Sequence, residues 1–166
     1  MTTDRGTVRD GVVVGLIAYA AVALFYTAFD VLAARGGLYT VDLLGKALFE
    51  GLRDPAVLQY PIRPDLSAVF WYNALHLVLS IAIGLVVVRL VAQAERHPAQ
   101  GPVILAVLVA GFVVTVLAVG TLTASIRPLL PWWSIVAANA AAVALAGGYL
   151  LRRRPGVAHR LVPFAA

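Results

Sequence analysis

The chain has no cysteine in 166 residues. That absence removes disulfides, thiolate metal sites and cysteine nucleophiles together, and it leaves the redox compartment open. Charge is scarce too. Only 13% of residues are Asp, Glu, Lys or Arg, about half the share of a soluble domain. With 61% hydrophobic residues, such a chain has too little polar surface to face water on all sides, and an integral membrane protein is the economical reading. Methionine occurs once and histidine three times. A glycine-rich phosphate loop, an HExxH pair, a serine nucleophile elbow and paired carboxylates within an apolar run are all missing. These gaps argue against an enzyme. The net charge of +5 does not call for nucleic acid, because in a membrane protein the placement of Lys and Arg matters more than their sum.

Long apolar runs are what the chain has in quantity. Four of them, about 11–32, 66–90, 103–123 and 131–151, are near or above the roughly 20 residues that cross a bilayer. The expected fold class is therefore an all-α integral membrane protein, a four-transmembrane-helix bundle forming a single membrane domain over 1–166. Residues 1–10 read as a short polar tail. Ala21-Val22-Ala23 has the small-x-small form of a leader cleavage site, but the apolar run continues past it and the early charges are mixed, so this stretch reads as a span. Between the first two spans, Val41, Leu44, Ala47 and Leu48 recur at helical spacing against Asp42, Lys46, Glu50 and Arg53. That predicts a short amphipathic helix over about 41–52, lying on the membrane surface or on the bundle mouth. Thr40 has the chemistry of its N-cap, and Asp65 or Ser67 that of the cap for the second span.

Polar residues within the spans fall on stripes. Gly11, Gly15, Tyr19, Tyr26 and Asp30 lie within an arc of roughly 100° on the first span, with Val22 the one bulky aliphatic among them, and that side should face protein. Gly11 and Gly15 form a GxxxG pair that admits a second helix at close range. This face, together with the apolar helix faces, is the expected contact with other membrane subunits. Asn73, His76, Ser80 and Gly84 share an arc of roughly 80° on the second span. Gly111, Thr115, Ala118 and Ser125 share a face of the third, together with Val107 and Leu122. The span midpoints fall near Ala20, Leu77, Phe112 and Ala141, which places Tyr19, His76, Thr115 and Asn139 within roughly 5 Å of one layer.

His76 is the only histidine in an apolar stretch, and an ionisable group at such depth is a functional-site hypothesis by default. Its plain reading is a neutral imidazole bonded to Tyr19, Asn139 or a backbone carbonyl, fixing helix register. Its sharper reading is the axial ligand of a tetrapyrrole metal. A bis-His haem needs a second intramembrane histidine, and there is none. A chlorophyll-type pigment needs only one ligand, and the small residues Ala74, Ser80 and Gly84 would leave room for a macrocycle. A quinone or bound lipid held by His76 and Asn73, or a proton relay, are further options. Cofactor-binding candidates are thus His76, Asn73, Tyr19 and Asn139. Asp30 invites a small-molecule exporter reading, although its place at the span end near Arg35 favours a pair with that arginine.

The side carrying both tails and the 92–101 loop holds Arg5, Arg9, Arg89, Arg96, Arg152, Arg153, Arg154 and Arg160, against Arg35, Lys46, Arg53, Arg63 and Arg127 on the other. Both termini are expected to be cytoplasmic, in a multi-pass inner or cytoplasmic membrane. The function expected is that of a small accessory subunit in a larger membrane protein complex of electron-transport or photosynthetic type, surrounded by membrane lipids. A pigment- or quinone-binding protein using His76 is the alternative, and an exporter using Asp30 the second.

Overall fold

The computed structural model of the chain describes residues 2–58, 61 and 63–161, with side chains given outside 2–4, 159 and 160. Helices make up its regular structure, and there is no strand among the described residues. Four helices are long and apolar enough to cross a membrane: α1 (Thr2–Leu32), α3 (Leu66–Arg96), α4 (Gly101–Leu122) and α5 (Trp132–Arg153). Two short ones complete the set, α2 (Tyr39–Gly45) and α6 (Val157–Leu161). The tail beyond 161 lies outside the described residues.

Local chemistry sets the boundaries. Residues 2–10, read as a polar tail, are instead the first turns of α1. The other end of α1 unwinds through Ala34 and Gly36, both left-handed (φ 56° and 80°), a reversal that glycine makes without strain. Asp65 caps α3, accepting hydrogen bonds from the backbone N–H groups of Ser67 (2.7 Å) and Ala68 (3.2 Å). These are donors a helix start otherwise leaves unpaired. His97 and Pro98 end α3, and Pro131 precedes α5.

The expected helix over 41–52 starts earlier and behaves differently. Leu38 occupies its N-cap position, and Thr40 lies inside the first turn. After Gly45 the chain widens into a π-turn over Lys46–Glu50 that stops at left-handed Gly51. Six of the seven residues of α2 are buried, Asp42 included. The segment lies at the bundle mouth, one of the two placements expected, with Leu48, Phe49 and Leu52 exposed at its far end. Its apolar period predicted one covered face, but Asp42 and Gly45 are turned inward as well.

A contact of backbone on backbone joins α1 to α3. A Cβ added at Gly15 would lie 2.5 Å from the Ile81 Cα, and one at Gly84 would lie 2.6 Å from the Gly15 nitrogen. The two backbones therefore meet at Gly15 and Gly84, and Gly11 one turn away receives the Leu85 side chain and backbone. The face expected to receive another subunit is thus filled by the chain's own α3. The remainder of the α1 stripe is protein-facing as its period indicates, with Tyr26 and Asp30 buried. Leu16, Leu24, Val31 and Leu32 are exposed on other sides of the helix.

Two apolar clusters fill the ends of the bundle. One gathers Tyr26, Tyr39, Leu43, Leu58, Ile126 and Ile135 around α2. The other gathers Val14, Val88, Val91, Ala146, Leu150 and Val157, with α6 closing over it. Helix α4 is the loosest member. It packs through Ile104, Leu108, Phe112, Val116 and Val119, and only 17% of its apolar window is buried, against 33% for α5. The face shared by Gly111, Thr115 and Ala118 is displaced from that contact. Gly111 and Ala118 are exposed, and Thr115 is only half covered.

Candidate functional site

Along α3, His76 falls between the two apolar clusters, since Tyr72 packs on the first and Val88 belongs to the second. Tyr19 reaches it from α1, with ring centroids 5.2 Å apart at 53°. Tyr72, one turn back on α3, contributes a second ring at 6.0 Å. The four-residue spacing of Tyr72 from His76 is the signal in the sequence for this contact, although Tyr72 lies off the polar stripe. The Tyr19 hydroxyl donates to Asn73 Oδ1 at 2.9 Å, and Asn73 Nδ2 donates to the Val69 carbonyl at 2.9 Å. Three of the four predicted site residues, Tyr19, Asn73 and His76, thus come together at the α1–α3 contact.

Asn139 does not join them. Its amide donates to the Ile135 carbonyl of its own helix at 2.8 Å. Thr115 likewise donates to Gly111 at 2.8 Å. A shared depth brought these residues into one layer of the sequence reading. In the structure each polar group is satisfied by the preceding turn of its own helix, the usual resort of Thr and Asn where water is scarce. His76 is left with ring contacts and no hydrogen-bond partner among the described residues. The plain reading of a bonded imidazole named Tyr19, Asn139 or a backbone carbonyl as partner; Tyr19 and Asn139 are committed elsewhere, and no bond to a carbonyl is made among the described residues.

At the α2 end, two carboxylates are fully buried. Asp30 accepts from the Thr40 backbone N–H at 2.7 Å and from the Thr40 hydroxyl at 2.6 Å. This corrects the expected pairing with Arg35, whose Nη1 donates instead to the Leu129 carbonyl at 3.3 Å and whose guanidinium lies 5.1 Å over the Tyr39 ring. It also corrects the N-cap expectation: Thr40 serves the end of α1, not the start of α2. Asp42, expected on a solvated face, accepts from Lys46 Nζ at 2.6 Å and from the Asp65 backbone N–H at 2.7 Å. Lys46 also donates to the Arg63 carbonyl at 2.8 Å. Both carboxylates act as acceptors that tie α2 to α1 and to the start of α3. Burial pushes the Tyr39 phenol above its ordinary range, opposed by Arg35 and reinforced by Asp30. The neutral hydroxyl donates to the Leu58 carbonyl at 3.2 Å.

At the other end, Arg154 donates to Glu95 at 2.5 Å and to Asp10 at 3.1 Å, joining the ends of α5, α3 and α1. Partial burial favours loss of its proton, but the bonds to Asp10 and Glu95 outweigh this and hold the guanidinium charged above its ordinary range. No local signal marks Asp10, Glu95 and Arg154 as partners, because their meeting depends on three helix ends arriving together.

No group of three or more His, Asp or Glu side chains suited to a metal ion occurs among the described residues. Compared with family models, curated proteins and solved structures, the chain matches none.

Proposed function

We propose that the protein is a multi-pass membrane protein with both termini cytoplasmic, and that it serves as a small accessory subunit of a larger membrane assembly, meeting its partner through α4. The observation that carries this reading is the cover on α4. It has the highest mean hydropathy of the four long helices, 2.9, and the smallest buried share. Its outward side is also fitted for another helix. Ala110, Gly111, Val114 and Ala118 are all exposed and fall within an arc of roughly 100°. A Cβ at Gly111 would meet nothing within 4 Å. Small residues let helices approach closely in lipid, where apolarity alone does not drive association. Ala20 and Ala28 of α1 are exposed as well, but its outward side also carries Leu16, Leu24, Val31 and Leu32, for which lipid is a natural cover. Purification of the full chain in mild detergent tests the reading. A partner should co-migrate with the wild type and be lost from Gly111→Trp, while the melting temperature of the isolated protein is unchanged. Wild type purified without a partner, or a variant that retains it fully, contradicts the proposal.

One observation favours a second reading. The imidazole of His76 contacts two rings and has no hydrogen bond among the described residues, which leaves a nitrogen available to a chlorophyll-type pigment or a quinone. Such a group suits an electron-transport or photosynthetic assembly. An absorption band of the purified protein lost in His76→Ala supports this reading, and a colourless, quinone-free preparation from the native membrane contradicts it.

A further inference from the structure

The end of the bundle where α1 begins and where α3 and α5 finish holds a cleft of about 460 Å³. Arg9, Asp10, Glu95, Arg96, Arg153 and Arg154 line it. Four guanidiniums face two carboxylates, so two positive charges are in excess among the described lining residues. The pairing shows which two. Arg154 engages both Asp10 and Glu95, and Arg153 lies 3.7 Å from Asp10. Arg9 and Arg96 are exposed, with no ion pair or hydrogen bond among the described residues. They stand on separate helices on either side of a cleft whose acidic groups are already matched. Towards the middle of the bundle, this end becomes the apolar cluster of Val14, Val88, Val91 and Leu150. A charged cleft thus lies directly above apolar packing, at the level where the long apolar helices end.

We infer that this cleft binds the phosphate of an anionic phospholipid headgroup, with Arg9 and Arg96 as its free cationic donors and the Arg154 clip holding the helix ends that carry them. Guanidinium forks match phosphate oxygens in paired hydrogen bonds, and basic pockets between helices at the cytoplasmic face suit such headgroups. A free phosphate offers the same chemistry. The lipid is favoured because the cleft opens at the rim of the apolar surface, where acyl chains would lie beside the helices. The site does not depend on the partner proposed for α4.

The test uses the full chain in nanodiscs of phosphatidylcholine with or without phosphatidylglycerol, read by melting temperature and by native mass spectrometry of retained lipid. Phosphatidylglycerol should raise the melting temperature and be retained selectively. Arg9→Gln/Arg96→Gln should weaken that retention on the order of tenfold. Arg9→Lys/Arg96→Lys should recover part of it, and Arg127→Gln, at the opposite end, should change nothing. Equal retention of both lipids, or retention untouched in the double Gln variant, overturns the inference. If millimolar inorganic phosphate alone reproduces the shift and displaces the lipid, the lipid assignment is overturned in favour of a soluble anion.

Discussion

At the scale of single residues, the fold depends on where a few buried polar groups find partners. Asp30 is fully buried and takes both of its hydrogen bonds from Thr40. Thr40→Val keeps the shape and removes one donor to a charged acceptor, so stability to denaturant in detergent should fall by about 2 kcal/mol. An unchanged midpoint would show that the carboxylate is not held as described. His76 should behave oppositely. Because its nitrogens bond to nothing among the described residues, His76→Phe preserves the ring contacts with Tyr19 and Tyr72 and should leave stability within about 1.5 kcal/mol. A larger loss would reveal a nitrogen contact essential to the fold. The nearness of Tyr19, Asn73 and His76 could be read from helical spacing, since their stripes lie on the two helices that pack most closely. The satisfaction of Asn139 and Thr115 within their own helices could not, because depth along an axis does not specify rotation about it. The Asp30–Thr40 pair was hidden for another reason. It requires the chain to double back through Ala34 and Gly36, whereas Arg35 is the nearer opposite charge in sequence.

At the scale of elements, glycine separates contact from open surface. Gly84→Ala puts a methyl group into the backbone of α1 and should destabilise by about 1–3 kcal/mol. Gly147→Ala on α5 meets nothing within 4 Å and should be neutral or stabilising by up to about 1 kcal/mol. Melting temperatures of the two variants check the pair, and equal effects would refute the assigned packing. The four long helices were legible because run length and scarcity of charge are one-dimensional properties. The character of α2 was not. Its apolar period told of a covered face, but the burial of Asp42 rests on a lysine one turn on and a backbone N–H of Asp65, twenty-three residues away. The Gly11/Gly15 pair was legible as a place of close approach, whereas its occupant depended on Gly84 arriving from within the same chain.

At the scale of the whole molecule, the two ends are fastened and one flank is open. Arg154 joins three helix ends, so Arg154→Gln should lower stability on the order of 2 kcal/mol by leaving buried Asp10 with only the more distant Arg153. Cooperative unfolding at the wild-type midpoint would contradict that role. The buried carboxylates around α2 fasten the opposite end. Between them, α4 has the smallest buried share of the four long helices, and on this the proposed subunit role rests. Exposure by itself does not separate lipid from protein, but equal exposure with different partners does. Val114 on α4 is 64% exposed and Leu24 on α1 is 68% exposed. A photo-crosslinking residue placed at each position in turn, in cells expressing the full chain at native level, is the most direct test of the account. It predicts a discrete protein adduct from position 114 and lipid adducts alone from position 24. Lipid adducts alone from both positions, or the same protein adducts from both, would contradict it.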